Sequence, residues 1–261
     1  MNTRFGFNLR NIFPRLRRKK LVQKRKTFSI AHRGGAGLAP ENTLAAFENA
    51  LNLGVDFIEL DLRRSKDGHL IVIHDSNVER ITNGKGKVCD LTLEELKSLD
   101  AGVKFSPAYQ GEKIPTFEEV LELIGNKVVV VVHIKEQGIE QEVLTLLHKY
   151  KQSEAVLTSF YRGVIKNSKL LSPNFPTALL RAENLLPFDY IARAQEAYAN
   201  ILDLARHRLN YDIIQHCHKR GLLVWTWTVD EPKDMRDLIK MGVDAVTTNY
   251  PDRLQGILKS Q

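Results

Sequence analysis

The sequence predicts an α/β protein built as a single (β/α)8 barrel, the TIM-barrel architecture, and three observations carry that expectation. Its 261 residues suit one such domain. Eight short, β-branched apolar runs follow residue 27, and helix-period segments separate them. Strand–helix alternation calls for a parallel sheet, and eight units in this length favour a closed ring over an open one.

The strand-like runs are 28–31, 55–61, 127–134, 155–159, 177–180, 199–204, 222–228 and 243–248. Helical segments are expected near 41–53, 117–125, 139–151, 161–170, 189–197, 211–220, 231–241 and 252–259. One run breaks the alternation. Residues 70–74 (LIVIH) follow Lys66-Asp67-Gly68, a hairpin signal, and read as an antiparallel return over the barrel mouth. The stretch to residue 115 then forms an excursion with a short helix near 92–99, so the barrel over 27–261 carries a small insertion at about 62–115, after the second strand. A loop region this long inside a barrel is usually functional.

The formal net charge of +7 is unevenly placed. Residues 1–26 hold ten Lys and Arg side chains and no acidic one, which leaves a net charge of −3 on residues 27–261. A basic face spread over the domain, as nucleic-acid binders need, is therefore not expected. The arm has three readings: a solvated disordered tail, a segment lying on an anionic membrane surface, or an organelle-targeting peptide. Phe5, Phe7, Leu9, Ile12, Phe13 and Leu16, interspersed with arginines, support the second, and Pro14 would interrupt a helix there. Cys89 and Cys217 have neither metal-ligand nor redox spacing, which points to a reducing compartment. No apolar run is long enough to span a bilayer, so the expected location is cytoplasmic, peripheral at a membrane if the arm binds lipid.

Three short motifs carry chemistry. His32-Arg33-Gly34-Gly35 ends the first strand, where barrel catalytic residues project: a histidine passes protons near neutrality, and an arginine grips a phosphate or carboxylate. The bland alternative is a histidine capping a turn. Glu59 and Asp61, two apart on a strand, point the same way into the mouth. Paired carboxylates need a cation, a shared proton or arginines, so a divalent metal is one solution and ion pairing with Arg63 or Arg64 the other. His74-Asp75 closes the return, with Asp75 either orienting the imidazole or capping the next turn.

Taken in order, His32-Arg33-Gly34, Ala39-Pro40-Glu41-Asn42-Thr43, Glu59-Leu60-Asp61, Lys66-Asp67-Gly68, His74-Asp75, Thr82-Asn83-Gly84-Lys85-Gly86, Ile114-Pro115-Thr116-Phe117, Thr158-Ser159-Phe160 and Trp227-Thr228-Val229 resemble the glycerophosphodiester phosphodiesterase family across about 28–255. The resemblance implies a barrel with an insertion after its second strand. It implies His32 and His74 as general acid and base, Arg33 as phosphate ligand, and Glu59 and Asp61 as ligands of Ca²⁺ or Mg²⁺. It places Trp227 near the substrate, although core packing is an equal reading for that residue. Glu41 reads either as a carboxylate supporting the site or as a simple helix-start acid. The implied reaction is hydrolysis of a glycerophosphodiester to sn-glycerol 3-phosphate and an alcohol, with Lys135 helping to neutralise the phosphate.

One position departs from the family pattern, which has a glutamate two residues before the lysine as a third metal ligand. Here it is His133. Ligation by His133 would weaken Ca²⁺ and favour Mn²⁺ or Zn²⁺; without it, metal binding is damaged. Glu136 replaces the missing carboxylate only if the strand slips by one residue. Asn249 stands where the family often has Asp, a change expected to concern structure near the last strand. Two further readings stay open beside the main one: a lysophospholipase D acting on membrane lipids, and a catalytically impaired barrel that binds a phosphodiester.

Overall fold

The computed structural model describes residues 27–152 and 154–260; the basic arm, with all three of its readings, lies outside the described residues. The strands are β1 (Phe28–Ala31), β2 (Phe57–Arg64), β3 (Leu70–Val72), β4 (Val129–Ile134), β5 (Ala155–Ser159), β6 (Thr177–Arg181), β7 (Ile201–Ala205), β8 (Leu223–Trp227) and β9 (Ala245–Thr248). The helices are α1 (Leu44–Leu53), α2 (Leu93–Ser98), α3 (Phe117–Ile124), α4 (Glu140–Lys149), α5 (Arg162–Leu171), α6 (Pro187–Glu196), α7 (Tyr211–Lys219), α8 (Pro232–Met241) and α9 (Pro251–Lys259). The parallel strands run in the order β1-β9-β8-β7-β6-β5-β4-β2, and pairing of β1 with β2 closes the ring as a (β/α)8 barrel. None of the described helices is long and apolar enough to cross a membrane.

Side-chain alternation sorts each strand between two cores. On β4 (VVVVHI), Val130, Val132 and Ile134 face the helices with α1, α3 and α4, while Val129 and Val131 face the barrel axis. The axial core fills the end where the strands begin. There Phe57 meets Trp225 edge-on at 5.4 Å and Phe28 at 6.2 Å. Bulky rings at that end leave the polar residues for the end where the strands finish, the catalytic end of such barrels.

The 62–115 region is built on β3, which pairs antiparallel with Leu62–Arg64 of β2. Asp67-Gly68 makes the connecting turn, with Gly68 at φ 91° and Asp67 receiving the N–H of Leu93 at the start of α2. Ile71, Ile73, Val78, Val88, Leu96, Ala101 and Ile114 form a separate apolar cluster beneath it. Thr92 with Glu95 and Thr116 with Glu119 form capping boxes that start α2 and α3. The first helix begins at Leu44 with Thr43 as its N-cap rather than at 41, so Glu41 lies in the preceding turn, free of the helix.

Candidate active site

The β1–α1 connection assembles most of the site. His32–Gly34 is a tight turn in which Arg33 takes a left-handed conformation, φ 52°, rare for a residue with a side chain. This turns the Arg33 N–H onto Glu59 Oε2 at 2.8 Å. A Cβ on Gly34, at φ 84°, would sit 2.7 Å from Ala46 Cβ, so the turn lies hard against α1. Farther along, Asn42, also left-handed at φ 58°, donates to Asp61 Oδ2 at 2.9 Å and receives the Asp61 N–H at 3.3 Å. One loop therefore orients both carboxylates of β2.

Asp61 and His133 are directly paired across β2 and β4. Glu59, Asp61 and His133 are all buried, and their ligand atoms lie within 4.8 Å of one another. His133 Nδ1 is 3.0 Å from Asp61 Oδ1 and 3.7 Å from Glu59 Oε1. The shorter approach lacks hydrogen-bond alignment, because Asp61 Oδ1 has no hydrogen-bond partner. A buried carboxylate oxygen of this kind, beside a second carboxylate and an imidazole, fits a divalent cation. Burial pushes the Asp61 pKa up, but the nearby charges of His133, Lys135 and Arg33 outweigh it and hold it well below the usual range. Burial likewise lowers His133, yet Asp61 and Glu59 leave its pKa raised. Lys135 Nζ stands 3.5 Å from Asp61 Oδ1, and burial lowers its pKa. Arg63 and Arg64 do not neutralise the carboxylate pair. Arg63 binds Glu136 at 3.3 Å and Arg64 binds Glu142 at 3.2 Å, so Glu136 is committed away from the cluster and β4 has not slipped.

The two histidines sit in matched settings. His32 Nδ1 is 2.7 Å from Asn249 Oδ1, and the Asn249 amide donates to Asp230 Oδ2 at 2.8 Å. That second bond turns the Asn249 oxygen toward the ring, so Nδ1 carries the proton and Nε2 is left for chemistry. Asn249 is thus a partner of His32, not merely part of the structure near the last strand. His74 Nδ1 is 2.6 Å from Asp75 Oδ1. Arg80 donates to Asp75 Oδ2 at 2.5 Å and grips Glu41 with both terminal nitrogens at 2.8 and 2.6 Å. Glu41 in turn accepts from Arg33 at 2.8 Å. Burial raises the Asp75 pKa, but Arg80 and His74 bring it down to about 2. Burial lowers that of His74.

A pocket at the catalytic end is lined by His32, Arg33, Glu59, His74, His133 and Lys135, with Phe160 and Trp227 on another side. Phe160 and Trp227 meet edge-on at 5.5 Å. Trp225, on the same strand face as Trp227, is fully buried in the axial core instead. The sequence from residue 32 to 253 matches the Glycerophosphoryl diester phosphodiesterase family.

The chain belongs to that family.

A glycerophosphodiester phosphodiesterase of Caldanaerobacter subterraneus subsp. tengcongensis is 42% identical over 241 residues, covering 90% of this chain and 98% of its own length. One from Bacillus subtilis is 35% identical over 260 residues, covering 92% and 89%. Among solved structures, an Oleispira antarctica phosphodiesterase in complex with the product sn-glycerol-3-phosphate has a TM-score of 0.80 at 28% identity, covering 88% of this chain and 95% of that one. Membership of the glycerophosphoryl diester phosphodiesterase family makes the protein a phosphoric diester hydrolase.

Every residue expected at the family site, namely His32, Arg33, Glu41, Glu59, Asp61, His74, His133, Lys135 and Trp227, lies in the pocket or bonds to a residue that does. Sequence reasoning missed Asn42, Arg80, Asp203, Asp230 and the role of Asn249. Asn42 lies inside the quoted Ala39–Thr43 motif and Arg80 two residues before the Thr82–Gly86 motif, so the motifs themselves were the available signal. Asp203, buried on β7 with its carboxyl pushed up to about 8 by burial, carried no signal beyond being an acid in an apolar run.

Proposed function

We propose that the protein hydrolyses glycerophosphodiesters to sn-glycerol 3-phosphate and a free alcohol, with His32 and His74 as the proton-transfer pair and a divalent metal at Glu59, Asp61 and His133. The observation that carries this is the convergence of two histidines, each tethered through Nδ1, on a pocket that also holds Arg33, Lys135, Glu59 and His133, with Asp61 buried directly behind the last two.

Arg33 and Lys135 meet the phosphate, and their charges oppose the negative charge that builds on its oxygens as the P–O bond breaks. The lowered pKa of His74 favours its neutral form, which suits it to accept the proton of the attacking hydroxyl through Nε2. His32, entering the step protonated on both ring nitrogens, donates its Nε2 proton to the departing alkoxide, and proton exchange with solvent resets both rings after turnover, while Asn249 and Asp75 keep them oriented. A divalent ion held by Glu59, Asp61 and His133 would supply Lewis-acid neutralisation of the phosphate. The family resemblance points to Mg²⁺ or Ca²⁺, and the imidazole of His133 favours Mn²⁺ or Zn²⁺. The test is release of sn-glycerol 3-phosphate from glycerophosphocholine by metal-stripped protein with each of the four ions returned. Absence of product with all four would sink the reading.

One observation favours a second substrate. Leu186, the N-cap of α6, and Phe188, in its first turn, stand at the catalytic end and are 71% and 68% exposed, and such side chains suit an acyl chain or a lipid surface. A lysophospholipase D activity predicts a higher kcat/KM for lysophosphatidylcholine than for glycerophosphocholine, and a loss of that preference in Leu186→Ser with Phe188→Ser.

A further inference from the structure

The chemistry above uses one wall of the pocket, formed by β1, β2 and β4. The ring order places β7 diametrically opposite β2, with β5 and β6 between β4 and β7. Two polar side chains on the arc from β5 to β7 have no assigned work: Asp203, opposite β2, and Thr158, which sits beside His133 of β4 in strand register. Asp203 on β7 is 5% exposed and Thr158 on β5 is 2% exposed, and both line the pocket. Neither Asp203 Oδ1 nor Thr158 Oγ1 has a hydrogen-bond partner. Buried polar atoms without partners are costly and uncommon, so two of them facing one cavity point to a ligand that completes them. Leu180, on β6 between the two strands, and Val131 supply apolar lining of the same cavity.

That wall offers hydrogen bonding and apolar contact together, the two things a small polyol presents through its hydroxyls and its C–H edges. A trimethylammonium head group donates no hydrogen bond and would leave Thr158 unsatisfied. The enclosed side of a pocket also suits the part of the substrate common to all glycerophosphodiesters, whereas a variable alcohol needs the open side. We propose that Asp203 and Thr158 read the glycerol half of the substrate, hydrogen-bonding its hydroxyls while Leu180 and Val131 face its carbons. The inference rests on the glycerophosphodiester reading given above.

The test compares binding of sn-glycerol 3-phosphate with binding of propyl phosphate, which keeps the phosphate and the carbon chain and lacks the hydroxyls. Calorimetry on the full-length, metal-supplied protein should give at least about a tenfold preference for glycerol 3-phosphate. Asp203→Val and Thr158→Val should each cut that preference about fivefold or more, with propyl phosphate binding held within about twofold. Retained propyl phosphate binding also reports that the variants are folded. Asp203→Asn, which keeps an accepting oxygen in the same place, should retain most of the preference. A wild-type protein without preference overturns the proposal. So does equal weakening of both ligands in the valine variants, or an Asp203→Asn variant as poor as Asp203→Val. Glycerophosphocholine hydrolysis is assayed on the same preparations. Its absence beside an intact binding preference would count against the activity reading and leave this one standing.

Discussion

His32 and His74 are half-buried at the end of the barrel away from the axial core, so neither side chain supports the fold. Replacing either with alanine is expected to lower kcat by about 10²-fold or more, the usual scale for acid–base residues, with little change in melting temperature. Turnover near the parent value would remove that histidine from the mechanism. His74 also predicts a pH profile. Its folded pKa lies below 6.5 because burial disfavours the cation, so activity that needs the neutral ring should be lost only as pH falls through a value under 6.5. Asp75 raises the His74 pKa through its hydrogen bond, so Asp75→Asn should move the acid limb to still lower pH. A limb that moves upward would contradict this assignment. His133 predicts a metal preference. With two carboxylates and an imidazole, Mn²⁺ or Zn²⁺ should bind more tightly than Ca²⁺, and His133→Glu should reverse the order toward Ca²⁺ and Mg²⁺. Metal titration by calorimetry reads this without reliance on turnover, and an unchanged order would place His133 outside the coordination sphere.

The elements around the barrel contribute more than enclosure. The segment after β3 sends Arg80 back to Glu41 and Asp75, so a single guanidinium bridges Arg33, the proposed phosphate ligand, and His74, the proposed proton-transfer group. Arg80 is a positioning residue, since it acts on the site through two carboxylates. Arg80→Met should lower kcat roughly tenfold, the range for lost supporting contacts, and Arg80→Lys should restore part of it. Loss of Arg80 should also let the Asp75 carboxyl rise from about 2. An Arg80→Met enzyme with unchanged kcat and pH profile would reduce the bridge to a surface ion pair. The β1–α1 loop acts in the same way from the other side, since Arg33 and Asn42 hold Glu59 and Asp61 through left-handed backbone positions.

At the scale of the whole molecule, β1 enters the barrel at Phe28, in the aromatic-filled end, and the pocket opens at the other. The described chain therefore begins, at Thr27, on the face away from the site. Deleting residues 1–26 should leave kcat/KM on a soluble substrate within about twofold. If the arm binds lipid, the deletion should also reduce association with anionic liposomes at low salt, and equal association would discard the membrane reading. The apolar Leu186 and Phe188 stand at the catalytic end, so lipid contact through them would turn the pocket mouth toward the surface.

The sequence by itself determined the barrel, the end at which the site lies and the pairing of Glu59 with Asp61, because each follows from short-range periodicity. Alternation with period two puts residues two apart on one face, strand–helix alternation calls for a parallel sheet, and eight such units favour a closed ring. Motif order identified the family before any contact was known. Tertiary structure alone decided which groups complete each residue of the candidate site. Asn249 lies 217 positions from His32 and reaches it only because β9 pairs with β1 when the barrel closes. Asp203 faces the Glu59 wall because the ring order puts β7 opposite β2. Glu41 left its expected place at a helix start because Thr43 took the cap, which freed the carboxylate to join Arg33 to Arg80. Contacts of this kind depend on closure of the whole chain, and no local pattern encodes them.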